Sequence, residues 1–269
     1  MANFIRYLVN RLKQMLRYTK GLNSMKTITA IIGSPKRNNS TTYQIVESLY
    51  KTIDSYGIKY RKSIILLSNY EVDMCKGCAQ CFFKCHICEQ FDDDLKYIEE
   101  QILDSDIIIF ASPVYAHNIA GIMKNFIDRI SYGLHIMRYL GKIGLTISVS
   151  DSNGNAFVDD YLEKILLYLG VKVVDRISIK MVKGIDYRKI SDCAQNIAQL
   201  LNGDNIRTAT EYEELVFKTM RNALYDISTK METNETMYWK KHGYFEFNSF
   251  EEAFSLEVKQ QRMKENSSI

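Results

Sequence analysis

From Thr27 to Asn202 the chain alternates short, mostly apolar runs with amphipathic stretches of helical period, and this rhythm limits its fold more than any other property. Thr27–Ile32, closed by Gly33, has the composition of a strand buried on both faces. Further strands are expected at about 59–67, 106–110 and 145–149, with a fifth starting at 171–174. Helices are expected from Tyr43 to a stop before Gly57, then at about 93–103, 121–130, 156–169 and 186–202. Strands separated by helices of this length join through crossovers, so the expected class is α/β, a parallel sheet covered by helices on both faces. In such sheets ligands sit beyond the carboxyl ends of the strands. After residue 202 the alternation stops. Glu211–Lys230 and Phe250–Met263 read as helices flanking the aromatic cluster Tyr238–Phe245. The expected division is an N-terminal extension (1–24), a core (25–202) and a mostly helical C-terminal extension (203–269).

The 269 residues are 46% apolar, as in ordinary globular proteins, and no apolar run approaches the ~20 residues of a membrane span. A net charge of +3, with no dominant basic stretch in the middle of the chain, gives no reason to expect nucleic acid. The basic excess belongs to residues 1–24, which carry Arg6, Arg11, Lys13, Arg17 and Lys20 and no acid. Ile5, Leu8, Val9, Leu12, Met15 and Leu16 recur there at helical spacing. Four readings of this basic helix stand: docking on its own protein or a dimer mate, membrane-surface contact (not favoured), an organellar presequence, or Met25 as the natural start. The arginines interrupt any secretory apolar core, so a cytoplasmic location with reduced thiols is expected.

Two residue types are distributed unevenly. The only prolines, Pro35 and Pro113, both fall in loops that follow strands. In Gly33-Ser34-Pro35-Lys36-Arg37-Asn38-Asn39-Ser40-Thr41 small hydroxyl and basic residues open a helix, which suits an anion such as phosphate. The loop fits neither the ATP- and GTP-binding nor the dinucleotide glycine pattern. Ser112-Pro113-Val114-Tyr115 ends the central strand, where a rigid turn can hold backbone N–H groups toward a planar ring. The other reading of each is an ordinary connection, with Tyr115 in the core. Five of the six cysteines lie in fourteen residues: Cys75, Cys78, Cys81, Cys85 and Cys88. C-x2-C-x2-C-x3-C has the spacing of a bacterial ferredoxin run, and taking Cys88 as the fourth gives C-x2-C-x2-C-x6-C. A 4Fe–4S cluster, bare thiols and zinc all remain open, although the six-residue link is short for zinc knuckles.

Together these pieces resemble the NADPH-dependent FMN reductase family of the flavodoxin-like superfamily, and within it the iron–sulfur flavoproteins. The matching stretches are Ile32–Arg37, Cys75–Cys81, Asp92-Asp93, Ser112–Tyr115 and Gly121–Arg129. The resemblance implies a five-stranded sheet of order 2-1-3-4-5. It implies FMN with its phosphate at Ser34, Lys36, Ser40 and Thr41. Pro113, Val114 and Tyr115, with His117 and Asn118, would lie beside the isoalloxazine, and Ser150 to Gly154 would complete the rim. Many relatives have Asn-Thr where this chain has Ser40-Thr41. The implied activity is oxidation of NAD(P)H, with electrons passed through FMN, and through a cluster if present, to an unidentified acceptor. A homo-oligomer is implied as well. The rival readings are a non-catalytic electron carrier and a redox-sensing interaction module.

Other residues read more simply. Lys124, Asp128 and Arg129 are expected to pair on the surface, and Asp92-Asp93-Asp94 to favour a helix start. Cys193 reads as a small core residue, and Trp239 as packing or as a cap on a neighbour's flavin site. No Ser/His/Asp set or carboxylate pair stands out, consistent with a cofactor that carries the chemistry.

Overall fold

The computed structural model describes residues 25–85, 88–90, 92–203 and 206–266. The expected basic helix at 1–24 lies outside them. Six strands are found among the described residues: β1 (Thr27–Ile32), β2 (Arg61–Leu66), β3 (Ile107–Tyr115), β4 (Asn118–Ile119), β5 (Ile143–Ser150) and β6 (Lys172–Lys180). Five of them form a parallel sheet of order β2-β1-β3-β5-β6, and β4 pairs antiparallel with the end of β3. This is the flavodoxin-like order anticipated, with one added hairpin strand.

The crossover helices are α1 (Thr41–Asp54), α2 (Leu95–Leu103), α3 (Gly121–Arg129), α4 (Asn155–Tyr168) and α5 (Tyr187–Leu201). One face of the sheet packs Ile45, Leu49, Ile53, Ile190 and Ile197 of α1 and α5; the other packs Ile98, Phe126, Leu162 and Leu166 of α2, α3 and α4. Every residue of β1 and β5 is buried, which is why neither shows the two-residue alternation of a half-exposed strand.

The C-terminal helices α6 (Glu211–Ser228), α7 (Asn234–His242) and α8 (Phe250–Asn266) extend the first of these cores. Trp239 is fully buried, stacked on Phe217 at 5.7 Å, and its Nε1–H donates to the His135 carbonyl at 3.1 Å. It packs the extension against the sheet domain and does not cap a neighbour. Lys172 of the edge strand is also buried. Its ammonium donates to Glu251 of α8 at 2.7 Å and lies 4.2 Å from the Phe254 ring centroid, so a sheet charge is neutralised by the extension. Among the described residues no helix is long and apolar enough to cross a membrane.

Candidate functional site

Register brings three strand ends to one edge. Ile32 pairs with Ala111, Ser112 with Ser148, and Pro113 with Val149. The Gly33 N–H continues this ladder, donating to the Ala111 carbonyl at 2.8 Å. A Cβ at Gly33 would stand 2.4 Å from Met123 Cβ, so glycine lets the first loop lie against α3.

The first loop then climbs into α1. Ser34 is buried and its Oγ accepts the Lys36 N–H at 3.4 Å. Arg37 takes a left-handed backbone, φ +53°, and begins a single 3-10 turn. Ser40 caps α1: its Oγ accepts the Tyr43 N–H at 3.1 Å, and its carbonyl accepts from Gln44. The Ser40 cap takes up the Tyr43 N–H and leaves the N–H groups of Thr41 and Thr42 open at the partially positive helix end. Lys36 and Arg37 are exposed, and neither forms an ion pair with the described residues. Two cations without an ion pair among the described residues, hydroxyls and open N–H groups make a donor set for a phosphate monoester.

The second segment departs from expectation. β3 runs on through Ser112, Pro113, Val114 and Tyr115, then turns back at Ala116-His117 so that Tyr115 faces Asn118 and Val114 faces Ile119. Both turn residues have positive φ, +49° and +61°, as a two-residue primed turn requires. Glycine or asparagine would adopt this backbone with less strain, and their absence hid the hairpin from the sequence. Ser112 locks its base: the buried Oγ accepts the Ala120 N–H at 3.0 Å, just before α3. Tyr115 is 42% exposed, which removes the reading that put it in the core.

The third segment, Ser150 to Gly154, closes against this hairpin. Gly154 has φ +87°, and a Cβ there would meet Val114 Cγ1 at 2.8 Å and His117 Nδ1 at 3.2 Å. His117 in turn packs edge-on to Phe157 at 5.8 Å. Asn155, which sequence reasoning passed over, sets the loop. Its buried amide donates to the Ser148 carbonyl and hydroxyl and to the Ile179 carbonyl, and its Oδ1 accepts from Ser150 Oγ at 2.6 Å. Its only sequence signal is its place directly after the polar loop.

The cysteine segment is held to α3 by two residues one turn apart. Asn125 Nδ2 donates to the Val72 carbonyl at 2.9 Å, and its Oδ1 accepts the Cys75 N–H at 3.3 Å. Arg129 is buried rather than on the surface. It pairs with Asp93 at 2.5 Å, donates to the Asp73 and Gln90 carbonyls, and directs Nε–H at Cys88 Sγ at 3.3 Å. Lys124 and Asp128 do pair on the surface as expected. Asp93 therefore serves two ends, since its other oxygen accepts the Leu95 N–H at the start of α2.

Among the described residues, no group of three or more His, Cys, Asp or Glu side chains is placed to hold a metal ion. This overturns the 4Fe–4S reading on four of Cys75, Cys78, Cys81, Cys85 and Cys88, and with it the zinc reading, and leaves that of bare thiols. Cys75 and Cys78 are exposed, whereas Cys81 and Cys88 are half-buried and Cys88 is turned to Arg129. The Cys85 side chain lies outside the described residues. Burial raises the Cys81 thiol above its ordinary value, and the Cys88, Cys75 and Cys78 thiols add to the rise. Cys193 is a buried core residue, as expected.

The chain is 26% identical over 227 residues to an iron–sulfur flavoprotein of Archaeoglobus fulgidus, a match covering 82% of this chain and all of that one. It is 29% identical over 153 residues to an iron–sulfur flavoprotein of Clostridioides difficile, covering 57% of this chain and 67% of the relative. Among solved structures, the NAD(P)H:quinone oxidoreductase of Methanothermobacter marburgensis shares the fold, with a TM-score of 0.51 at 16% identity over 70% of this chain and 100% of that one. Residues 26–184, which contain all three loops, match the family model for NADPH-dependent FMN reductase, and the chain belongs to that family.

Proposed function

We propose that this chain is an FMN-dependent NAD(P)H oxidoreductase whose cofactor lies across the three loops at the carboxyl edge of the sheet. The observation that carries the reading is the start of α1, whose first two N–H groups stay open beside Lys36 and Arg37, cations without an ion pair among the described residues, in a loop that Gly33 ties by a backbone hydrogen bond to the strand running into the Ser112–Asn118 hairpin. An anionic phosphate and a flat ring are the two parts of one ligand that such neighbours suit.

In this reading Ser34, Lys36, Ser40 and Thr41 hold the phosphate. Pro113, Val114, Tyr115, His117 and Asn118 flank the ring, and Ser150 to Gly154 closes the rim. When bound, FMN supplies the two-electron chemistry, and the protein contributes position and electrostatics. The helix dipole and the Lys36 ammonium offset the phosphate charge. Ser112 fixes the hairpin base, and the Gly154–Val114 contact keeps the third loop from withdrawing. The cytoplasmic placement and the homo-oligomer belong to the same proposal; light scattering on purified protein tests the latter.

Titration with FMN followed by anaerobic addition of NADPH or NADH tests the reading. Stoichiometric uptake and rapid bleaching of the flavin are expected, while a passive carrier would bleach slowly without a reductase. Lys36→Glu is expected to weaken FMN at least tenfold and to leave riboflavin, which lacks the phosphate, unaffected. Failure to bind FMN sinks the proposal.

A further inference from the structure

α4 is fastened to the sheet at two points one turn apart. At the first, the Asn155 amide donates to Ser148 Oγ at 2.9 Å and to the Ile179 carbonyl at 3.1 Å. At the second, Asp159 Oδ2 accepts the Ser178 hydroxyl at 2.5 Å. Ser148 and Ser178 are partners in the β5–β6 ladder, so both points lie on one rung. The end of β6 also reaches the third loop directly, where the Val182 N–H donates to the Asp151 carbonyl at 2.8 Å. The third loop thus takes its position from a strand that supplies none of the three flavin loops.

The first turn of α4 passes that position on. Gly154, at its N-cap, lies against Val114, and Phe157 stands edge-on to His117 at 5.8 Å. Both contacts are with the hairpin proposed to flank the ring. A helix is stiff over one turn, so the depth at which Asp159 seats on Ser178 sets where these contacts fall.

Packing gives no reason for an acid at the second point. Asp159 is 2% exposed and forms no ion pair among the described residues, since Arg176 turns to Asp160 and Glu163. Its Oδ1 is buried without a hydrogen bond among them. Burial raises the carboxyl above its ordinary value, against the Ser148 and Ser178 hydroxyls, which lower it. An unpaired buried acceptor costs stability, whereas the bond at the other oxygen fixes one arrangement of helix on sheet. Thr146 of β5 is the contrast: its Oγ1 is equally buried, bonds nothing among the described residues and fastens nothing.

We propose that Asp159 and Ser178, which lie outside the three flavin loops, are positioning residues for the flavin ring. On the reading of the flavin site given above, their bond seats the first turn of α4, and Asn155, Gly154 and Phe157 carry that placement to the wall beside the isoalloxazine. The phosphate end, built on the first loop and α1, is independent of this bond.

The test titrates the full chain with FMN and, separately, with riboflavin, at a temperature where far-UV circular dichroism shows every variant folded. Asp159→Ala and Ser178→Ala are each expected to weaken both flavins alike, by about tenfold, and the double variant to be no weaker than the worse single. Asp159→Asn, which keeps an acceptor for Ser178, should bind within about twofold of the parent, and Thr146→Val should match it. A parent that binds FMN beside an Asp159→Ala that binds it equally well, with only a lower melting temperature, overturns this inference and leaves the flavin reading standing. Losses confined to FMN, or losses that add in the double variant, overturn it as well. A parent that binds no FMN overturns both. Should Asp159→Ala not fold, Ser178→Ala against Asp159→Asn carries the same comparison.

Discussion

Gly154 and Val114 approach so closely that a single methyl group on the glycine would stand 2.8 Å from Val114 Cγ1. This contact joins the loop after β5 to the hairpin after β3. Gly154→Ala meets both the clash and a φ of +87°, and should destabilise the fold by about 1–3 kcal/mol. Urea unfolding measures that loss, and fluorescence titration should show weaker FMN binding. An unchanged FMN affinity would separate the loop contact from the cofactor site.

Arg129 and Asp93 form a pair with side-chain exposures of 0% and 3%. Arg129→Met leaves a buried carboxylate without its cation, a loss of about 3–5 kcal/mol in such sites. Arg129→Met with Asp93→Asn should recover part of it. Chemical denaturation of the four proteins in the cycle measures the coupling, and a coupling near zero would show that the guanidinium acts through its carbonyl contacts alone.

His135 donates to or accepts from Glu235 at 2.8 Å, and this bond raises the imidazole above its ordinary value against a smaller effect of burial. A raised folded value means that the contribution to stability is complete below about pH 6.5 and is lost as pH rises through the folded value. The melting temperature should therefore decline above pH 6.5, and His135→Gln should flatten that decline. Because the ring is half-exposed, the effect is a modest slope rather than a cooperative loss.

Lys142 has the opposite sign. Burial lowers its ammonium to about 8, although Nζ donates to the Leu103 and Ser105 carbonyls. Between about pH 8 and the ordinary lysine value of about 10.4 the unfolded chain binds more protons than the folded one, so this group adds stability as pH rises through that window. Stability measured from pH 7.5 to 10 should carry this positive component, and the difference from Lys142→Met should change over the same range.

Glu251→Ala removes the carboxylate that pairs with the fully buried Lys172. The expected effect is a stability loss of about 1–3 kcal/mol and faster proteolysis within α8, read by limited digestion and mass. Protection equal to the parent chain would show that Trp239 and its aromatic neighbours hold the extension alone.

The strand–helix alternation was legible because buried parallel strands and amphipathic helices leave different local periods. The first phosphate-like loop was legible for the same local reason: Ser40 caps α1 with its own side chain. The hairpin at Ala116-His117 was not, since its positive-φ turn is sustained by pairing of Tyr115 with Asn118 and Val114 with Ile119 rather than by turn residues that favour it. Arg129 was misjudged as a surface charge because helical spacing pairs it with neighbours on its own helix. Its partners, Asp93, Cys88 and the Asp73 and Gln90 carbonyls, come from another crossover.

The sequence by itself determined the α/β alternation and the loop in which small, basic and hydroxyl residues collect. These follow from local periodicity and capping, which need no distant partner. Tertiary structure decided the rest: how far β3 continues, that the C-terminal helices share the core, and that the described cysteines are free thiols, with Cys88 against the buried Arg129. Each of these depends on what burial brings together from distant parts of the chain, and spacing along a chain does not encode that.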